Sequence, residues 1–553
     1  MRRAIKAKYD ARQQIGRETS QQPGFNPLTA TWRAATLPEH GPVAVTHRDS
    51  ARLWHATAQS TGTERRNVGF EASCVIVPPY GIAMTHALRL SICLALGTVA
   101  AQSAQAESGR FSQGVALGKP AIDLRVAAAI HRADGRWLTL GTQTAQDNRA
   151  TPYLVLREAG GEQLAAVALL PDNGRSWTAR ALVDVGGGDV IVSGMDQDPD
   201  DFSAPQAVFI VRLDASLQVV WSRRFEQAGS SLEDALLRAQ SNGPPILVGG
   251  IRPVVDGVPL DGDAFLATLD PVTGDLVQMR TLGTPEAHER GADVVPLAAG
   301  GHAVLLEVRR NVDAGLEAGD GIVALGTGGA VASSRLAGHP VSAGIRASAL
   351  RLIDDGEGFV VAGRRTAFGP NFFYLHRLAA DLSPMPTRTL IPFFNVADVA
   401  PAPGGGILLH GEANGEVGDR GTIMMRLDAR LDITLQRQYG TQNQVFPSGA
   451  IAYGDGGLLL ALGAMRDDDA RVFESVNRVD ANDGEGLLCA ENTYTGFHTA
   501  IDKQVTSLTW APNTAAVSFT TTPVAAITQS LSRTTIDECA TQDDLVYRDG
   551  FGA

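Results

Sequence analysis

Between about residue 120 and residue 490, short apolar runs ending in glycine recur at a near-constant interval. The runs are Trp137-Leu-Thr-Leu-Gly141, Val190-Ile-Val-Ser-Gly194, Ile246-Leu-Val-Gly-Gly250, Phe359-Val-Val-Ala-Gly363, Ile407-Leu-Leu-His-Gly411 and Leu459-Leu-Ala-Leu-Gly463. A degenerate copy, Ala303-Val-Leu-Leu-Glu307, fills the remaining gap, so seven copies follow one another about 54 residues apart. Each run is preceded by a turn rich in glycine and aspartate, such as Ala133-Asp-Gly135, Gly186-Gly-Gly188 or Asp354-Asp-Gly-Glu-Gly358. A further apolar stretch lies before each turn, for instance Ala181-Leu-Val-Asp-Val185. Two apolar stretches joined by a turn that tolerates positive φ predict a β-hairpin at the head of every repeat.

A third strand follows a variable polar loop: Val208-Phe-Ile-Val-Arg-Leu-Asp214, Ala264-Phe-Leu-Ala-Thr-Leu-Asp270, Phe372-Phe-Tyr-Leu-His-Arg-Leu378 and Ile423-Met-Met-Arg-Leu-Asp428. The aspartate after the leucine is placed to cap backbone N–H groups of a second turn. A fourth strand closes the unit, as in Val219-Val-Trp-Ser-Arg-Arg-Phe225 and Leu276-Val-Gln-Met-Arg-Thr-Leu282. Arginine recurs on it at Arg223, Arg280, Arg388 and Arg437. Regular charge on an outermost strand discourages edge-to-edge pairing, so these arginines read as solvated edge residues before they read as a binding site.

Seven four-stranded units, none able to bury both faces of its own sheet, predict an all-β fold: a seven-bladed β-propeller over residues 107–489. A β-solenoid is the competing architecture, but its repeats are usually shorter and lack the four-strand meander. The segment Glu107–Leu124 is a candidate for an extra strand that closes the ring.

The repeats resemble the bacterial propeller-type repeats known as delta-sixty and seven-bladed β-propeller repeats. The pattern there is a glycine turn, an apolar strand ending in glycine, and a strand pair of the form FLxRLDxxGxxxW. Phe209-Ile-Val-Arg-Leu-Asp-Ala-Ser-Leu-Gln-Val-Val-Trp221 matches it, with Leu217 where glycine is usual. The resemblance implies the fold and a bacterial setting, and leaves activity open because propellers host unrelated functions.

Upstream, Leu90-Ser-Ile-Cys-Leu-Ala-Leu-Gly-Thr-Val-Ala-Ala101 follows Met84, His86 and Arg89 and precedes Ala104-Gln105-Ala106. A methionine, a basic residue, an apolar run and an A-x-A site are the parts of a secretory signal peptide, here 84–106. The run falls short of the roughly 20 residues of a membrane-spanning helix; a buried core helix is the alternative reading. On the export reading residues 1–83, which show no periodicity, are a spurious or disordered extension and translation begins at Met84. The mature chain then has no integral membrane segment.

Residues 490–540 are rich in threonine and serine, lose the repeat, and predict a small β-rich C-terminal appendage. Cys489 and Cys539 bracket it. An even pair in an exported chain reads as a disulfide, closing a loop of about 50 residues for roughly 4 kcal/mol; two buried thiols are the alternative. The end of the chain, residues 541–553, resembles a short tail found on exported proteins of some Gram-negative bacteria, with Val546-Tyr547 and Gly552-Ala553 departing from its pattern.

Composition narrows the chemistry. The net charge is -13, and removing residues 1–106 makes it -19, while aromatics are only 6%. Neither suits a nucleic-acid partner, which rewards basic surface and stacking rings. The histidines beyond residue 106 (His131, His288, His302, His339, His376, His410 and His498) scatter over separate repeats, and no serine-nucleophile elbow, dinucleotide loop or phosphate loop occurs among these residues. Of the histidines, His376 and His410 lie on strands from which they could reach a channel. Asp196, Asp198 and Asp200 supply a D-x-D-x-D spacing that suits calcium, without the glycine and distal glutamate of an EF-hand loop. A solvated acidic loop is the alternative, and Asp467-Asp-Asp469 is a weaker case. No other cofactor is expected. The function expected is an exported noncatalytic binding or scaffold module at the cell surface, with a protein or glycan partner. The alternative is a hydrolase or quinone-type dehydrogenase acting in the central channel.

Overall fold

The computed structural model describes residues 111–117 and, with short breaks between strands, 121–537. The extension, the signal-peptide segment, Cys489, Cys539, His498, Asp467 to Asp469 and the C-terminal tail lie outside the described residues.

The described residues form strands and turns with no helix. Seven antiparallel sheets follow one another along the chain, at 121–171, 176–226, 230–283, 287–339, 346–390, 394–439 and 444–480; they are numbered here blades 1 to 7. Each first strand touches the first strands of both neighbouring blades, and that of blade 7 touches that of blade 1. That cyclic contact makes the molecule a seven-bladed β-propeller. Blade 7 takes its fourth strand from the segment that precedes blade 1: Phe111–Leu117 pairs with Val472–Asp480. The ring is closed by the N-terminal strand that the sequence offered as a candidate.

The periodic glycines answer a steric need. Gly141, Gly194, Gly249 and Gly363 lie directly across from Tyr153, Phe209, Phe265 and Tyr374 on the third strand. A Cβ at any of these glycines would collide with the facing ring. The aromatic ring lies over the glycine and fills the space between blades, so Phe209 also stacks on Trp177, centroids 4.2 Å apart. The Arg-Leu-Asp turn behaves as its chemistry dictates. Asp214 Oδ1 accepts from the N–H groups of Ser216 and Gln218, at 2.8 and 2.9 Å, and Asp428 repeats the arrangement with Arg430 and Asp432.

Leu217, Leu382 and Leu431 occupy the glycine position of that turn at φ 62°, 65° and 64°. A left-handed backbone costs a non-glycine residue about 1–2 kcal/mol. All three side chains are buried in the blade cores, and burial of a leucine stabilises by about 2–3 kcal/mol. Burial wins, which is why leucine replaces glycine here.

The C-terminal segment is β-rich, and its strands are shared out around the ring. Glu491–Asn492 pairs with blade 6, Ala500–Asp502 with blade 5, Thr506–Leu508 with blade 4 and Asn513–Ala516 with blade 3. Thr520–Pro523 then pairs with blade 2, Ala526–Ser530 with blade 1, and Arg533–Asp537 with Phe111–Leu117 of blade 7. After completing blade 7 the chain circles the propeller backwards and gives every blade a fifth strand. The fourth strands are therefore not solvated edges. Arg223 pairs across to Pro523 and donates to Thr273 O of the next blade at 2.8 Å, and Arg280 reaches Gly329 O at 3.3 Å. Third-strand arginines make the same blade-to-blade link: Arg212 to Pro271 O at 2.9 Å and Arg377 to Ala429 O at 2.7 Å.

The belt is anchored by side chains inserted at the rim. Phe519 meets Phe265 edge to face at 5.1 Å, and Trp510 packs over Gly321 between blades 3 and 4. The Trp510 indole N–H points to Glu289 Oε1 at 3.3 Å, which also accepts from Thr284 Oγ1 and Thr284 N at 2.8 and 3.1 Å. Glu289 Oε2 has no hydrogen-bond partner among the described residues. Burial raises the Glu289 carboxyl to about 7 against those three donors, with Asp263 adding to the rise. The native state keeps its proton up to about pH 7, while an unfolded glutamate releases it near pH 4.3. This contribution to stability is complete below the unfolded value and is lost as pH rises through 7. Glu289→Gln retains the accepting oxygen and removes the charge. Thermal unfolding is expected to show the variant near wild type at pH 4 and more stable by about 3 kcal/mol at pH 8. A difference that does not change with pH would count against it.

Candidate functional site

The first strands carry a bulge at an equivalent place in blades 1 to 6, for example between Val126 and Ala128, Ala179 and Ala181, and Gly291 and Asp293. An extra residue bends the strand and re-aims the side chains beside it. Around the axis these strands border a cavity of about 450 Å³, lined by alanines and aliphatic groups from blades 1, 2, 3 and 7, by Arg180, Arg238 and Arg351, by Asp184 and Asp398, and by His131 and Tyr453.

Two of its polar groups follow one rule. Arg238 of blade 3 grips both oxygens of Asp293 in blade 4, at 2.7 and 3.1 Å, and Asp293 accepts from Leu352 N of blade 5 at 2.9 Å. Two blades on, Arg351 donates to Asp398 at 2.9 Å, and Asp398 accepts from Ile451 N of blade 7 at 3.0 Å. Each unit ties three consecutive blades at the axis. Burial raises the Asp398 carboxyl to about 6, against the N–H groups of Val399 and Ile451 and the charge of Arg238.

A second cavity, of about 240 Å³, opens on the face where first strands begin and second strands end, here the entry face. Arg180, Arg252, Arg290, Arg309, Glu233, Asp234 and His288 line it. Asp234 takes Arg180 at 2.9 Å and also Arg290; Glu233 takes Arg252 at 3.0 Å and His288 at 3.5 Å. Glu307 is held by Arg290 and Arg309. Burial works against the Glu233 carboxylate, but His288 and Arg252 outweigh it and hold it below its usual range. Arg180 lines both cavities, so the entry pocket and the channel adjoin.

Sequence reasoning did not single out this cluster. Its signal was the degenerate fourth copy: Glu307 stands where the other repeats have glycine, and the residue across from it is Asp320 where blades 1, 2, 3 and 5 have an aromatic ring. Blade 4 alone gives up both the glycine and the ring, and the charged pocket forms beside it.

Asp196, Asp198 and Asp200 do not converge. Asp196 is fully buried and engages Arg175, the Trp177 indole N–H at 3.1 Å and Arg224 at 3.2 Å. Asp198 lies beyond the strand end and accepts from Asp200 N at 3.0 Å. Among the described residues no group of three His, Cys, Asp or Glu is placed to hold a metal ion. His410 is buried between blades 6 and 7, its ring nitrogens 3.3 and 3.2 Å from Ile423 O and Ala461 O. His376 is buried 3.7 Å from Asp320. Neither lines the channel cavity; His131 does. No helix among the described residues is long and apolar enough to cross a membrane.

No protein-family model and no curated protein matches the chain. Among solved structures it is similar to a protein of unknown function from Dyadobacter fermentans DSM 18053, at 10% identity and TM-score 0.39, over 67% of this chain and 99% of that one. It is also similar to a puromycin-hydrolyzing peptidase of Mycobacterium tuberculosis, at 15% identity and TM-score 0.38, over 67% of this chain and 55% of that one. A third is the polysaccharide lyase Uly1, at 10% identity and TM-score 0.40, over 64% of this chain and 90% of that one. The activities named are those of the proteins that bear them.

Proposed function

We propose that the protein is an exported, noncatalytic binding module whose entry face engages a protein or glycan at the cell surface. One observation carries this reading: the carboxylates around the entry pocket, and Asp293 and Asp398 at the axis, are paired with arginines, while Asp184, which also lines the channel, accepts the Gly186 N–H at 2.7 Å. Arg252 holds Glu233, Arg180 and Arg290 hold Asp234, Arg290 and Arg309 hold Glu307, Arg238 holds Asp293, and Arg351 holds Asp398. An acid, base or nucleophile has to change its proton or its bonds during a turnover. Carboxylates locked by guanidiniums serve as rigid polar surface instead. The apolar run at 90–101 with its A-x-A site supports export, and the Arg-Leu-Asp turns support kinship with the bacterial propeller repeats they resemble.

The test is a binding measurement on the purified chain against intact bacterial cells and immobilised cell-surface glycans. Saturable binding is expected, weakened at least tenfold by Arg252→Glu on the entry face, with no turnover of ester, glycoside, peptide or alcohol substrates. Saturable turnover that Asp398→Asn abolishes would replace this reading with a channel enzyme.

A further inference from the structure

The second strand of blade 3, Gly243–Val255, runs to 13 residues and passes the end of its blade. It turns through Asp256 and Gly257, at φ 53° and 76°, and returns as Val258–Pro259. Two consecutive left-handed residues are what a tight two-residue hairpin needs. The hairpin projects from the entry face and exposes Val255, Val258 and Leu260 at 39%, 39% and 36%. Its base is tied to the charged pocket: Arg252, which lines that pocket, donates to Leu260 O at 2.8 Å and to Pro259 O at 3.4 Å. An apolar ridge and a polar pocket are thus joined through one side chain.

The pocket has cation to spare. Four arginines, Arg180, Arg252, Arg290 and Arg309, face three carboxylates, Glu233, Asp234 and Glu307, in a chain whose net charge is -13. Arg252 uses all three of its nitrogens, and Arg290 both of its Nη atoms, within the protein. Arg180 pairs with Asp234 through Nη2, and Arg309 pairs with Glu307 through Nη2. A guanidinium carries five donors in a planar fork that matches a carboxylate. The Arg180 and Arg309 side chains are 46% and 40% exposed, so their remaining donors are open to an incoming group.

We propose that this pocket and hairpin form a docking site for a peptide segment of a partner protein that bears one carboxylate beside aliphatic residues. The inference rests on the binding-module reading and deepens it. The carboxylate enters between Arg180 and Arg309, and the aliphatic neighbours lie on Val255, Val258 and Leu260. A pocket of about 240 Å³ admits one residue's side chain or chain end, not a whole globular surface. An acidic sugar would use the arginines but leave the aliphatic ridge without a counterpart. A fatty acid would use the ridge but has no hydrogen-bonding backbone for the adjoining polar rim.

The experiment is fluorescence anisotropy on the full chain with three labelled hexapeptides. The first has a free C-terminus after Leu-Val and no acidic side chain. The second has an amidated C-terminus and an internal Leu-Glu-Val. The third is the amidated Leu-Gln-Val counterpart. At least one acid-bearing peptide is expected to bind at least tenfold more tightly than the third, and the two arms tell a chain end from a side chain. Arg309→Gln and Val258→Ser are each expected to weaken that binding at least fivefold. Arg136→Gln, on the opposite face, serves as the control and is expected to leave it unchanged. Equal weak binding of all three peptides, insensitivity to Arg309→Gln, or stronger competition by glucuronate or a long-chain fatty acid would overturn the proposal. Cell or glycan binding that persists through Arg309→Gln would overturn this site while leaving the binding-module reading intact.

Discussion

A chain ending at residue 480 is expected to lose its soluble monomer. Such a chain retains all seven four-stranded blades and the closing strand Phe111–Leu117, so a conventional account of a propeller would predict folding. The belt changes that expectation. Without it seven outer strands become free edges, each a template for pairing with another molecule. The rim also loses Trp510 from the seam of blades 3 and 4, Phe519 from Phe265, and Ala526 from the core shared by blades 1 and 2. Deleting one such large aromatic typically costs about 3–5 kcal/mol, of the same order as the whole stability of many domains. Size-exclusion chromatography is expected to show aggregate in place of monomer. A milder chain, ending at residue 531, removes the last belt strand, Arg533–Asp537, with the tail beyond it, and Cys539→Ser in the full chain controls for the cysteine lost with them. That strand covers the closing strand, which the belt holds on one side while blade 7 holds the other. This chain is expected to stay monomeric but to release its N-terminal strand to protease at least tenfold faster than the full chain. A stable monomer from the chain ending at 480, with an unaltered melting temperature, would show that the belt is ornament.

Much of the ring was legible in the sequence because each repeat must solve the same steric problem. An aromatic side chain facing a neighbouring blade needs a glycine across the sheet, and Gly141 with Tyr153 or Gly194 with Phe209 leaves that mark at a fixed interval. The belt left no such mark. Its strands are two to five residues long, too short to show alternation, and Thr520–Pro523 is exposed at every position. Backbone pairing carries the strands, and the buried anchors Trp510 and Phe519 lie between strands, where they add nothing to a strand's alternation. Threonine and serine signalled β structure at 490–540 without signalling where the strands would go. The Leu-for-Gly exchange at Leu217 was visible, but its reason needed the core beneath it.

The site was less legible, because its members arrive singly from separate blades. Arg180, Glu233, Arg290 and Glu307 are spread over three repeats, and no spacing rule joins them. A run of acids close in sequence, Asp196 to Asp200, drew attention instead. There the strand ends between them, and Asp196 is turned inward to two arginines while its neighbours stay in the loop. The more telling cue was negative: the fourth repeat lost its glycine at Glu307.

Replacing Glu474 with alanine is expected to cost about 3–5 kcal/mol, the range for stranding one member of a buried ion pair. Glu474 lies on the third strand of blade 7 at the position across from Gly463 that carries an aromatic ring in four other blades. Its Oε1 accepts from Arg157 Nη2 at 2.9 Å and from Thr139 Oγ1 at 2.8 Å, both in blade 1. The pair therefore spans the seam where the ring closes, and both side chains are fully buried. Burial pushes the adjacent Tyr153 hydroxyl well above its ordinary pKa, and the charge of Glu474 adds to the rise. Alanine leaves the Arg157 guanidinium desolvated and supported, among the described residues, only by Thr139 Oγ1 at 3.0 Å. Two apolar residues of similar volume can match a buried pair or better it, so Arg157→Met with Glu474→Leu is expected to recover most of the loss. Equilibrium unfolding in guanidinium chloride of the wild type, Arg157→Met, Glu474→Leu and the double variant gives the coupling directly. Coupling below about 0.5 kcal/mol would mean that the seam is held by packing alone. Strong coupling would make this pair, with the belt's last strand on the outside, one of two devices that keep the first and last blades from parting.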